Sequence, residues 1–171
     1  MLVANYREAY GLFACNGVLF NHESPFRPHR FVTAKIAAAV RRIAGGDTAT
    51  LHLGRLDIVR DWGWAPEFVE AMWLMLQQDQ ADDYIVATGQ SQPLADFVAA
   101  AFAARGLDWR AHVEIDPALG RPTDLAWSGA DPAHAAARLG WRATTLMPEV
   151  AQRMVEQTGL AAALASGTAT R

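Results

Sequence analysis

Three features of the 171-residue sequence predict an α/β fold. A mostly apolar run, Leu12 to Phe20, is short enough for a buried strand and opens directly into the polar stretch Asn21-His22-Glu23-Ser24-Pro25. Segments of helical spacing then alternate with further short extended runs. Glycines punctuate the boundaries at Gly11, Gly45-Gly46, Gly54 and Thr88-Gly89.

Residues 1–10 read as the closing turns of a helix stopped by Gly11; no cap precedes Met1, so the chain is expected to begin inside an element. The strand from Leu12 to Phe20 exits at Asn21 into a loop punctuated by Pro25 and Pro28. Phe31 to Ile43 has Ile36, Val40 and Ile43 on one helical face. Thr50 to Leu53 is a strand, and Leu56 to Arg60 a second extended piece leading to a turn at Asp61-Trp62-Gly63-Trp64. Pro66 suits the first turn of a helix reaching about Gln78. That helix is apolar nearly all round, which predicts burial and assigns Trp73 to the core. Tyr84 to Ala87 is a strand and Pro93 to Ala104 an alanine-rich helix. Trp109 to Ile115 is a further strand, Pro132 to Leu139 a short helix, and Met147 to Gln157 an amphipathic one. Beyond Gly159 small residues predict fraying.

Half of the residues are apolar, enough for one domain with a sizeable core. The net charge of -3 is spread without blocks, which offers no electrostatic basis for nucleic acid or an anionic membrane as partner. The single cysteine, Cys15, lies in the first apolar run and reads as a small buried hydrophobe; a reducing compartment is expected. Met1-Leu2-Val3-Ala4 has no features of a secretion signal, and no apolar run approaches the roughly 18 residues of a spanning helix. A cytoplasmic protein is expected. No His/Cys/Asp/Glu grouping has metal-ligand spacing, and no nucleophile elbow or phosphate loop occurs.

Some polar residues stand where chemistry is possible. Arginine presents a planar fork that matches phosphate oxygens, and Arg60 and Arg121 occupy suggestive settings. Arg60 ends an extended run before the Trp-rich turn, while Arg121 opens Arg121-Pro122-Thr123-Asp124 after Gly120. Taken without a family, an Arg/Asp pair in a loop is a surface ion pair of little value. In the same way His22 reads as a loop histidine bonded to backbone, and Lys35 as a solvated helix lysine.

Three stretches change that balance. Asn5-Tyr6-Arg7-Glu8-Ala9-Tyr10-Gly11, Cys15 through Pro25, and Arg60-Asp61-Trp62-Gly63 together closely resemble the GDP-mannose 4,6-dehydratase family of extended short-chain dehydrogenase/reductases, with Leu139-Gly140-Trp141 adding to the likeness. The resemblance covers most of this chain but only the family's second half. It implies the C-terminal part of an NAD(P)-binding Rossmann-type fold together with its smaller sugar-nucleotide-binding subdomain. Residues 1–25 and 66–105 would belong to the former, and 26–65 and 106–160 to the latter.

The implied activity is conversion of GDP-mannose to GDP-4-keto-6-deoxy-mannose, with NADP as internal hydride carrier. By the match, Asn21 would contact the substrate, and His22 and Arg27 the NADP. Val32 and Lys35, at the start of a helix, would approach the nucleotide. Arg60 and Arg121 would hold the diphosphate and Asp124 the ribose. The family commonly has two adjacent arginines where this chain has Phe26-Arg27, so one cationic or intersubunit contact is expected to be missing. Neither the glycine-rich fingerprint nor the Tyr-x-x-x-Lys pair has a counterpart: Tyr6, Tyr10 and Tyr84 are followed four residues on by Tyr10, Ala14 and Thr88. No catalytic residue is therefore assigned, and this chain is expected to supply the substrate-binding half and to be inactive alone. The full-length member is implied to be a dimeric or tetrameric homo-oligomer. Two other readings stay open: another nucleotide-sugar enzyme of the same type, such as the GDP-4-keto-6-deoxymannose reductase or an epimerase, and a non-catalytic remnant.

Overall fold

The structure, a computed structural model, describes residues 2–120 and 123–156. Helix α1 (Leu2–Tyr10) ends at Gly11, whose φ of 64° and whose N–H bond to the Arg7 carbonyl form the expected stop. The first apolar run differs from expectation. It holds only β1 (Asn16–Leu19), Leu12 to Cys15 is not extended into the sheet, and a second short strand, β2 (Asn21–Glu23), follows where the loop was expected to begin. Strand β1 pairs in parallel with β5 (Asp83–Val86), whereas β2 pairs in parallel with β4 (Val59–Trp64). At Phe20, whose N–H still donates to the Val86 carbonyl, the chain leaves one partner for the other. A change of partner leaves no mark on local hydrophobicity.

Strand β4 also absorbs the stretch read as a turn. Trp62 and Trp64 are buried strand residues, and the fully buried Asp61 carboxylate accepts from the N–H groups of Thr88 (3.0 Å) and Gly89 (2.8 Å), tying down the end of β5. A short strand unforeseen in the sequence, β6 (Ser91–Pro93), lies antiparallel to β4 on the edge of the β2-β4-β6 sheet, a position that tolerates proline. Strands β3 (Leu51–Leu53) and β7 (Val113–Ile115) form a separate parallel pair, the front of the predicted 109–115 strand being a single 3-10 turn at Trp109–Ala111.

Helices α2 (Val32–Ala44), α4 (Leu94–Ala103) and α6 (Met147–Glu156) pack on one another and on β4, burying Ile36, Val40, Phe97, Phe102, Val150 and Val155 completely. Arg41 and Arg105 donate to the Met154 and Val155 carbonyls at the end of α6, where cations suit the helix dipole. A second core joins α3 (Ala65–Met75), β5 and α5 (Ala133–Leu139) through Phe68, Tyr84, Val86 and Trp141. Between the two cores, a Cβ on Gly63 would stand 2.3 Å from the Phe68 ring, so the approach of α3 to β4 requires glycine.

Helix α3 is not buried as expected. Phe68, Ala71 and Met75 face the core, but Val69, Met72, Trp73 and Leu76 form an exposed stripe, and Trp73 is 59% exposed. An apolar circumference is buried only as far as neighbouring elements cover it, and here they cover one side. No helix among the described residues is long and apolar enough to cross a membrane. The fraying expected beyond Gly159 lies outside the described residues.

Candidate functional site

A cleft of about 610 Å³ opens where the chain changes partner between sheets. Strand β2 forms its floor. Because side chains alternate along a strand, Asn21 and Glu23 enter the cleft while His22 takes the other face. There its ring stacks on Phe68 with centroids 5.0 Å apart, and its Nδ1–H donates to the Phe20 carbonyl at 2.7 Å. The structure therefore places His22 against backbone and core, apart from the cleft-lining residues.

Helix α2 enters with its N-terminus. Its N-cap is Phe31, which offers no side-chain oxygen, so the first-turn N–H groups are left for other acceptors. Val32 and Lys35 line the cleft from this helix, and the Lys35 ammonium donates to the His52 carbonyl at 2.7 Å. From β4, Arg60 donates to its neighbour, the Val59 carbonyl (2.8 Å), and stands 4.0 Å from Asp124. That separation is too long for a hydrogen bond and leaves the guanidinium able to donate, and the carboxylate to accept, elsewhere. Arg121 lies outside the described residues.

Six residues singled out in the sequence thus converge: Asn21, Arg27, Val32, Lys35, Arg60 and Asp124. Three others had no role in the sequence reading. Glu23 is a fully buried carboxylate that accepts from the Thr33 hydroxyl at 2.8 Å and faces Arg27 Nε at 3.2 Å. Burial pushes its pKa up, against the opposing pull of Arg27 and of the Thr33 hydrogen bond. Arg30 and Arg55 add two more cations, Arg55 being held by both carboxylate oxygens of Asp57. Strand alternation from Asn21 could have found Glu23; the two arginines sit in loops with no periodic signal.

The cleft thus carries Arg27, Arg30, Lys35, Arg55 and Arg60 against Glu23 and Asp124, in a chain whose net charge is negative. Such an arrangement suits a ligand with several phosphate oxygens, and the neighbouring Phe31, Trp62 and Leu94 supply apolar surface. Among the described residues, no group of three or more His, Cys, Asp or Glu is placed to hold a metal ion.

The family model for GDP-mannose 4,6 dehydratase matches residues 1–154. GDP-mannose 4,6 dehydratase 1 of Arabidopsis thaliana is 48% identical over 153 residues, covering 90% of this chain and 42% of the relative. The GDP-mannose 4,6 dehydratase of Homo sapiens is 40% identical over 171 residues, covering 90% of this chain and 46% of the relative. The chain therefore spans less than half the length of these curated relatives. Among solved structures, RMD from Pseudomonas aeruginosa complexed with NADPH superposes with a TM-score of 0.80 at 19% identity, over 90% of this chain and 51% of the other, a likeness of fold.

Proposed function

The chain belongs to the GDP-mannose 4,6-dehydratase family, and on that premise we propose that it forms the sugar-nucleotide side of an enzyme converting GDP-mannose to GDP-4-keto-6-deoxy-mannose. The observation that carries the reading is the convergence of Asn21, Val32, Lys35, Arg60 and Asp124 on one cationic cleft. In this reading Arg60, together with Arg121, holds the diphosphate and Asp124 accepts from the ribose hydroxyls. Asn21 orients the sugar at the end of β1-β2, and the backbone at Val32 and the Lys35 ammonium approach the nucleotide.

NADP is the proposed cofactor, held in part by Arg27 in the cleft and, as the resemblance implies, by His22 on the other face of β2. The described residues fit an anionic group near Arg27: its guanidinium lines the cleft, and the uncapped start of α2 at Phe31 lies beside it. When bound, the cofactor would carry a hydride away from the sugar and return it. The chain's own contribution is to bind and orient. The complete enzyme is proposed to act in the cytoplasm as a homo-oligomer.

Calorimetric titration with GDP-mannose tests the reading. Arg60→Ala should weaken binding by about 2 kcal/mol, the scale of one charge-assisted contact, with the fold retained. GDP-mannose affinity that is unchanged in a folded Arg60→Ala protein would refute the assignment.

A further inference from the structure

Strand β4 is braced differently along its length. From Trp62 to Trp64 it pairs with β2, but at Val59, Arg60 and Asp61 its strand partner is β6, which sets Pro93, Gln92 and Ser91 opposite them. Strand β6 is three residues long and ends in a proline, which has no N–H to give, so its own ladder holds it weakly. Arg60 depends on that brace. Its guanidinium donates to the neighbouring Val59 carbonyl and stands 4.0 Å from Asp124, so its direction follows the backbone of β4.

What seats β6 is the segment just before it. Asp61 is fully buried, and both of its carboxylate oxygens are spent on backbone: Oδ1 accepts from the Thr88 N–H at 3.0 Å and Oδ2 from the Gly89 N–H at 2.8 Å. The left-handed φ of 78° at Gly89 lets two successive N–H groups converge on one side chain. Beyond β6 the chain enters α4, where the N–H groups of Leu94 and Ala95 donate to the Ile58 and Leu56 carbonyls. Leu94 and Ile58 line the cleft with Arg60 and Trp62, whereas Asp61 points to the opposite face of its strand.

We propose that Asp61 is a positioning residue for sugar-nucleotide binding. By anchoring residues 88–90 it seats β6 on β4, and so fixes Arg60 and Leu94 in a cleft that its own side chain does not enter. The inference rests on the reading of that cleft as the GDP-mannose site.

The test pairs hydrogen exchange, read by NMR at single amides, with calorimetric titration of the 171-residue chain by GDP-mannose. Asp61→Asn keeps the volume of the side chain but sets an NH2 group against one of the two N–H donors. Exchange should quicken at Thr88 and Gly89 and also at Leu94 and Ala95. At Leu51, whose N–H donates to the His112 carbonyl in the separate β3-β7 pair, it should not change. GDP-mannose affinity should fall about tenfold, and the loss in an Asp61→Asn/Arg60→Ala double variant should be smaller than the product of the two single losses. Glu67→Ala, destabilised in the other core, should lower the melting temperature and leave the affinity of the folded protein unchanged.

Exchange that quickens at Thr88 and Gly89 alone overturns the positioning role. So does an affinity that is unchanged in folded Asp61→Asn but lowered in Arg60→Ala, an outcome that leaves the reading of the cleft in place. Independent multiplication of the two losses, or an equal loss in Glu67→Ala, also overturns it. A chain in which exchange spreads to Leu94 and Ala95 but which binds no GDP-mannose keeps the brace of β6 on β4 and removes the ligand reading. Where Asp61→Asn does not fold, Gly89→Ala displaces the same segment from its other side, since it strains the φ and carries a Cβ to 3.2 Å from Pro132. The same spread of exchange and the same loss of affinity are expected there, and their absence decides against the proposal.

Discussion

Glu23 sits fully buried beside Arg27 and Thr33, and its carboxyl titrates above its ordinary value near 4.5 because burial outweighs the two favourable partners. An acid whose pKa is raised by folding binds its proton more tightly in the native state. Its contribution to stability is therefore fully present below about 4.5 and is lost as pH rises through the raised native value. Glu23→Gln cannot titrate, so urea midpoints of wild type and variant should diverge in favour of the wild type as pH falls from 7 toward 4.5. A difference that stays constant with pH would show that burial is not what shifts this group. The resemblance quoted Glu23 within a motif but gave it no role; its burial beneath Arg27 comes from the fold.

Glu67 ties helix α3 to the segment leading into α6 through both its side chain and its backbone. The Glu67 carboxylate accepts from the N–H and hydroxyl groups of both Thr144 and Thr145, and the Glu67 carbonyl accepts from Trp141 Nε1 at 3.0 Å. Burial pushes the Glu67 pKa up, but the hydrogen bonds from Thr145 and Thr144 outweigh it and leave the pKa below its ordinary value. The sign is opposite to that of Glu23: this contribution is present above about 4.5 and is lost as pH falls through the depressed value. Glu67→Ala should cost about 2 kcal/mol at pH 7, since it strands the donors of Thr144 and the buried Thr145. Equal chemical denaturation of the two proteins would show that solvent replaces the carboxylate without penalty.

Across the whole molecule, apolar surface is left open. The α3 stripe of Val69, Met72, Trp73 and Leu76 is exposed, as are Tyr10 of α1 and Val18 of β1. Exposed apolar surface of this extent favours association. The 171-residue chain should sediment as a concentration-dependent mixture, and Trp73→Glu should shift it toward monomer. A wild-type chain that is monomeric at all concentrations would contradict this. The chain by itself should also form no 4-keto-6-deoxy product from GDP-mannose and NADP, because none of its tyrosines has a lysine four residues on. Product above a blank, traceable to this chain, would refute that expectation.

The sequence by itself determined the α/β alternation, the positions of α2, α4 and α6, and the family. Helical periodicity and glycine stops are local signals, and the motifs Asn21 to Pro25 and Arg60 to Gly63 are contiguous in the chain. Which residues meet was decided only by tertiary structure. The change of partner at Phe20 points Asn21 and Glu23 into the cleft and His22 onto Phe68, and nothing in the composition of Leu12 to Phe20 encodes that change. Likewise Asp61-Trp62-Gly63-Trp64 becomes a strand because β2 and β6 flank it, and Trp73 stays exposed because no element among the described residues covers it. Local sequence sets conformational preference, but burial depends on neighbours distant in the chain. For that reason Arg27 and Arg30, which sit in a loop with no periodic signal, meet the Phe31 ring and the cleft only once the chain has folded.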